Sequence, residues 1–367
     1  MSPQRRDLRS VYIEWAKLRS QARYNLARSG VLDYPLAELH IRTEDLEISG
    51  SGGYGYGYAP LLERLAAKAG VSPDCVVHAQ GTSMANHLAM AALLEPGDEV
   101  LIEEPTYEAI LATAQYLGAR IRRFPRKVED GFQVDPREVE RAILPRTRLI
   151  VLTNLHNPSG VRTPDSTLSI VGEIARSLGA HVLVDEVYLE ACFDSMWQSV
   201  FHLGPNFIAT SSLTKAYGLG ALRCGWVIAA PPLAQRMWRL NDLFGVVAPH
   251  PAELFSVAAI DQLPQIRARA EKLLSANRAL LKSFLDSRRD LLTIWPAAGS
   301  ITFPQLATGH ADALCQLLRE KYETSVVPGH FFEAPEYFRI GVGGNTEVVR
   351  QGLSRVSAAL DELAARG

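Results

Sequence analysis

Between Val76 and Ala230 the hydrophobic positions fall into short runs separated by stretches of helical period. Runs at Val76 to Ala79, Glu99 to Glu103, Ala119 to Phe124, Arg148 to Thr153, His181 to Val187, Phe207 to Ser212 and Cys224 to Ala230 predict seven strands. Helical patterns at 82–94, 107–117, 136–143 and 165–178 lie between them. That alternation predicts an α/β fold with a mostly parallel, seven-stranded sheet covered by helices. Ahead of it, Leu8, Val11, Trp15, Leu18 and Ala22 predict an amphipathic helix over 8–28, and a helix starts again near Leu61. After Ala230, helical periodicity dominates to about residue 290, most clearly from Ile266 to Leu285. Strands at Ser300 to Phe303 and Ser325 to Val327 and a helix at 347–365 then predict a smaller α+β unit. The expected division is an N-terminal arm over 1–45 that joins the small domain, a large domain over 46–255 and a small C-terminal domain over 256–367.

Composition narrows the function classes. At 367 residues with 47% hydrophobic content, the chain fills two cores. Its 38 basic and 40 acidic residues are mixed along the chain, giving a net charge of −2, so there is no polyanion footprint and no nucleic-acid partner is expected. Cys75, Cys192, Cys224 and Cys315 lack CxxC spacing, which argues against structural zinc or a disulfide framework and suits a reducing cytoplasm. No uncharged run reaches the roughly 18 to 20 residues of a membrane helix, and the first residues lack an apolar signal core. The expectation is a cytoplasmic protein without a membrane partner.

The most informative stretch runs from Thr210 to Trp226. Lys215 sits there on a turn-rich connection between two apolar strands, among Ser211, Ser212, Thr214, Gly218, Gly220 and Arg223. Hydroxyls, glycines and a guanidinium together can seat a phosphate. An amine partly desolvated beside a cation has a lowered pKa and becomes a nucleophile toward an aldehyde. Asp185 ends another apolar run, where a buried carboxylate needs a cation. At ~3 Å and an effective dielectric near 20 such a pair gains about 5 kcal/mol. Arg339 stands inside the apolar strand Tyr337 to Gly341, where a guanidinium needs an anionic partner. Gly81-Thr82-Ser83 opens a helix whose N–H groups and dipole suit an anion, although a plain helix cap explains the same residues. Gly50, Gly52 and Gly55 satisfy GxGxxG, with Asp74 downstream. The charged stretch Arg42 to Ile48 in front of them is not the buried strand that a dinucleotide fingerprint requires.

Ser212-Leu-Thr-Lys215 with Arg223 eight residues on resembles the cofactor-lysine segment of fold-type I pyridoxal phosphate enzymes, specifically the class I/II aminotransferases. Tyr-Gly-Tyr-x-Pro-Leu ahead of the Leu61 helix is similar to the segment by which these enzymes send a tyrosine to the partner subunit's cofactor phosphate, so Tyr54 or Tyr56 is that tyrosine. The Asn154 to Gly160 segment is close to the family's Asn-Pro-x-Asn-Pro-[Ser/Thr]-Gly signature, departing at Leu155 and His156.

The resemblance spans nearly the whole chain and implies roles. Lys215 forms a Schiff base with pyridoxal 5'-phosphate and moves the substrate's Cα proton. Asp185 keeps the pyridine nitrogen protonated, and Tyr188 and Asn157 bond the phenolic oxygen. Tyr107 stacks on the ring. Thr82, Ser83, Ser212 and Arg223 hold the phosphate. Arg339, after a Val327-Pro-Gly329 turn, takes the substrate α-carboxylate with Asn157, and Gly30 lies where the N-terminal arm folds over the pocket. The implied function is ping-pong transfer of an amino group between an L-amino acid and a 2-oxo acid in a homodimer with shared active sites. The same scaffold also serves lyases, decarboxylases and synthases.

Overall fold

The computed structural model describes residues 9–41, 55–193 and 197–365. A first short strand, β1 (Tyr24–Asn25), is followed by the seven strands of the main sheet. These are β2 (Val76–Gln80), β3 (Glu99–Glu104), β4 (Arg120–Pro125), β5 (Thr147–Thr153), β6 (His181–Asp185), β7 (Phe207–Ser212) and β8 (Cys224–Ile228). Their order is β2-β8-β7-β6-β5-β3-β4. The five from β7 to β4 run parallel, and β8 lies antiparallel between β2 and β7.

Both faces of the sheet are covered, which is why its strands read as nearly continuous apolar runs. Ile150, Leu152, Val182 and Val184 point into one core, and Leu149, Val151, Leu183 and Ile208 into the other. At the outer edge β4 presents Arg120, Arg122 and Arg123, charges that discourage pairing with another chain.

The helices that position the site are α1 (Val11–Leu18), α2 (Ala59–Ala69), α3 (Thr82–Leu93) and α4 (Glu108–Tyr116). Two further helices cover the sheet at Pro136–Ala142 and Asp165–Ser177, and Pro231–Asn241 and His250–Asp261 follow β8. A long helix, Leu263–Asp286, leads to a C-terminal unit in which Ile301–Thr302 and Val327–Pro328 flank Phe338–Gly341, with helices at Ala311–Lys321 and Thr346–Ala364.

The N-terminal helix is the clearest correction to the sequence-based expectation. A single helix over 8–28 does not form: α1 stops at Leu18, and the chain then pairs Tyr24 and Asn25 in parallel with Thr324 and Ser325. Strand pairing and burial of Leu26 in the C-terminal core outweigh continued helical period. The expected apolar stripe is also misassigned, since Val11 and Leu18 are exposed while Tyr12 is buried.

Candidate active site

The sheet's carboxyl edge delivers its polar residues into one cleft of about 880 Å³. Thr82, Ser83, Tyr107, Asn157, Asp185, Tyr188, Ser212, Lys215 and Arg223 all line it, together with Gly30 from the N-terminal segment. Arg339 lies directly behind, donating from Nη1 to Asn157 Oδ1 at 2.8 Å. Sequence positions from 30 to 339 thus converge. Tyr56 does not join them: it is exposed, tilted against Trp238 and bonded to Asp242. Tyr54 lies outside the described residues, as do Gly50 and Gly52.

Lys215 follows β7 by three residues, and its Nζ donates to Ser29 Oγ at 3.0 Å. Burial holds the amine below the usual lysine range, the Arg339 and Arg28 guanidiniums add to that, and Tyr12 and Asp185 pull the other way. A larger share of this amine is therefore neutral than of a solvated lysine. Gly30 packs against it so closely that an added Cβ would sit 3.3 Å from the Lys215 Cα and carbonyl oxygen.

Asp185 is the last residue of β6. Its carboxylate accepts from Asn86 Nδ2 at 2.8 Å and from the Val187 N–H at 3.0 Å, and Asn86 in turn accepts from Thr210 Oγ1 at 2.5 Å. Among the described residues no cation pairs with Asp185, and burial raises its pKa. Burial likewise raises the phenols of Tyr107 and Tyr188, which keeps both as neutral donors.

At the opposite end of the cleft, Gly81 precedes α3 with φ +81 and supplies no capping side chain, so the first N–H groups of the helix stay open. Thr82 Oγ1 is buried with no partner. The Arg223 guanidinium lies over Gly81, where a Cβ would come within 2.2 Å of Nη2, and it donates to Gln80 O at 3.0 Å. Open helix N–H groups, an orphaned hydroxyl, Ser212 and a guanidinium form a phosphate cradle.

His156 is buried too, bridging Ser159 Oγ at 2.6 Å and the Pro105 carbonyl at 2.9 Å. Burial and the nearby Arg126 charge push its pKa well below the ordinary value, so it is a neutral brace for the Asn157 loop. Sequence reasoning missed Asn86, Ser29 and Tyr12. Asn86 lies one helical turn beyond Thr82, on the face that a site-directed helix turns toward the sheet, and that spacing was its only signal.

Residues 38–356 match the family model for aminotransferase class I and II. This chain belongs to that family. The arginine–pyruvate transaminase of Pseudomonas aeruginosa is 28% identical over 313 residues, covering 83% of this chain and 79% of the relative. Capreomycidine synthase of Streptomyces vinaceus is also 28% identical, over 361 residues, covering 95% of this chain and 92% of the relative. Among solved structures, a PLP-dependent aminotransferase from Streptococcus suis superposes with a TM-score of 0.91 at 28% identity, covering 97% and 99% of the two chains.

Membership of the family makes pyridoxal 5'-phosphate the cofactor. The residues fit it. The orphaned Thr82 hydroxyl and the open turn of α3 would suit a phosphate, a buried carboxylate without an ion-pair partner among the described residues would suit a protonated ring nitrogen, and a depressed amine would suit an aldehyde.

Proposed function

We propose that this aminotransferase-family enzyme moves an amino group between an L-amino acid and a 2-oxo acid in two half-reactions. The observation that carries the proposal is the pairing, across one cleft, of a depressed lysine amine with a buried arginine that has no carboxylate partner among the described residues. When bound, pyridoxal phosphate supplies an aldehyde and an electron-withdrawing ring. Arg339 and Asn157 anchor the substrate α-carboxylate and so fix which bond at Cα faces Lys215. The Lys215 amine, whose neutral form is favoured by burial, takes the Cα proton onto Nζ and returns it. Asp185 holds a proton on the ring nitrogen, Tyr188 and Asn157 orient the phenolic edge, Tyr107 covers the ring, and Thr82, Ser83, Ser212 and Arg223 hold the phosphate.

A second interpretation is favoured by one observation: the match to capreomycidine synthase runs over nearly the full length of both chains, beyond the span of the transaminase match. A synthase, lyase or decarboxylase would use the same residues. A panel of amino donors, each tested with and without a 2-oxo acid acceptor, separates the two. Transamination produces one new amino acid for every donor consumed and stops without the acceptor. Product formed from the donor alone beyond one equivalent per site would replace it with the second interpretation.

The proposal includes a homodimer with shared sites, to which Tyr54 or Tyr56 of each subunit contributes across the interface. It also takes residues 46–255 as the cofactor-binding domain, with 1–45 and 256–367 closing the cleft. A reducing, cytoplasmic setting is supported by four buried cysteines. Among the described residues no helix is long and apolar enough to cross a membrane.

A further inference from the structure

Arg339 is fully buried, and its surroundings are unusual for a guanidinium. It donates from Nη1 to Asn157 Oδ1, and from Nη2 to Tyr12 Oη at 2.8 Å and to the Ala27 carbonyl at 3.2 Å. All three acceptors are neutral. Its Nε is buried and has no partner. A buried charge in that state awaits an anion.

Tyr12 is placed to share the anion. Its Oη accepts from Arg339, and among the described residues nothing accepts the phenol's own proton. The ring is 7% exposed and wedged edge-on against Tyr107 at 5.6 Å and Phe331 at 5.7 Å, so the hydroxyl does not swing out to water. The helix that carries it is tied down. Ser10 Oγ accepts from the Ile13 N–H at 3.2 Å and bonds Glu108 on α4. Tyr12 and Lys215 line the same cleft.

We infer that Tyr12 is a substrate-binding residue: its O–H donates to the same α-carboxylate that Arg339 anchors, making the N-terminal helix part of the specificity for amino acids over amines. This rests on the proposed use of Arg339 for that carboxylate. A phenol that accepts from the guanidinium through a lone pair is polarised to donate more strongly, so the two groups act as one three-donor cradle. Phenylalanine would keep the aromatic wedge and remove only the donor.

The test compares wild type and Tyr12→Phe holoenzyme, titrated with L-arginine and with agmatine, which lacks the carboxylate, following the cofactor's visible absorption. L-arginine is the donor named by the Pseudomonas relative. The expected result is an apparent Kd for arginine raised about tenfold or more, as for a lost hydrogen bond to a charged group, with agmatine unchanged. Thermal melting of both proteins accompanies the titration. An equal loss for both ligands, or no loss for arginine, overturns the proposal, as does a wild type that does not prefer the acid. The rapid absorbance change at mixing is read, before any bond at Cα breaks, so a synthase or lyase gives the same answer, and failure of the transamination proposal stays distinguishable.

Discussion

Asp185 shows how much chemistry one position carries. Its two hydrogen bonds come from neutral donors, Asn86 and Val187, and with the more distant Lys215 charge they do not offset its burial, so a cation at the carboxylate would stabilise it further. Asp185→Asn keeps the size and accepts the same N–H from Val187. The expected outcome is retained cofactor with turnover lowered by roughly 10² or more, because about 5 kcal/mol of pairing is at stake. Steady-state kinetics beside a cofactor-content assay checks it. Lys215→Ala is expected to abolish reductive trapping of the cofactor by borohydride, and a label recovered elsewhere in the variant refutes the assignment. Lys215, Asp185 and Arg339 were legible in sequence because each is a charge at an apolar strand or beside it, where only a partner makes it tolerable. Ser29, Asn86 and Tyr12 were not. Their partners Lys215, Asp185 and Arg339 lie 186, 99 and 327 residues away, and ordinary polar residues give no sign of a distant charge.

At the scale of elements, the strands and helices from Val76 to Ala230 follow the hydrophobic period closely, because each is buried by its neighbours on a regular sheet. The ties between elements were not legible. Glu103 at the end of β3 accepts from the Thr153 N–H and Oγ1 at the end of β5, both at 2.7 Å, and from Arg126 Nη1 at 2.7 Å. Arg126 continues to the Phe132 carbonyl and Thr163 Oγ1. This buried knot fastens the strand ends from which Tyr107 and the Asn157 loop depart. Glu103→Ala leaves Arg126 charged and buried, and is expected to cost roughly 3–5 kcal/mol in denaturant unfolding. A second tie joins β2 to the His250–Asp261 helix through His78 Nδ1 and Glu253 Oε1, 3.6 Å apart. Burial works to lower the His78 pKa, but its interactions with Cys224 and Glu253 outweigh it and raise it to about 9. A folded pKa above the unfolded one stabilises fully below about pH 6.5, and the gain disappears as pH rises through 9, up to about 3 kcal/mol. Glu253→Gln is therefore expected to lower Tm clearly at pH 6 and little above pH 9, a contrast that thermal melts at both values measure.

For the molecule as a whole, alternation announced the sheet but not its order. Nothing local to β8 says that it inserts antiparallel between β2 and β7, since that choice is made by the connection through Lys215 and by both faces being covered. The surface adds what the strand pattern did not. Leu243, Phe244, Val246 and Val247 are 76%, 53%, 63% and 67% exposed on one short connection. Val246, a β-branched residue, holds φ 54 there, a conformation that carries strain unless neighbouring contacts support it. Phe244 meets His87 edge-on, and His87 in turn meets Tyr116, itself exposed. Tyr56 reaches the same connection through Asp242. An apolar patch beside Tyr56 fits a second copy of the chain better than water. Phe244→Glu combined with Val247→Glu is expected to halve the mass seen by sedimentation and to lose activity with it, because each site of the proposed dimer would then lack the partner's tyrosine. An unchanged sedimentation coefficient would move the interface elsewhere, while full activity in a demonstrated monomer would remove the shared site and leave Thr82, Ser212 and Arg223 holding the phosphate unaided.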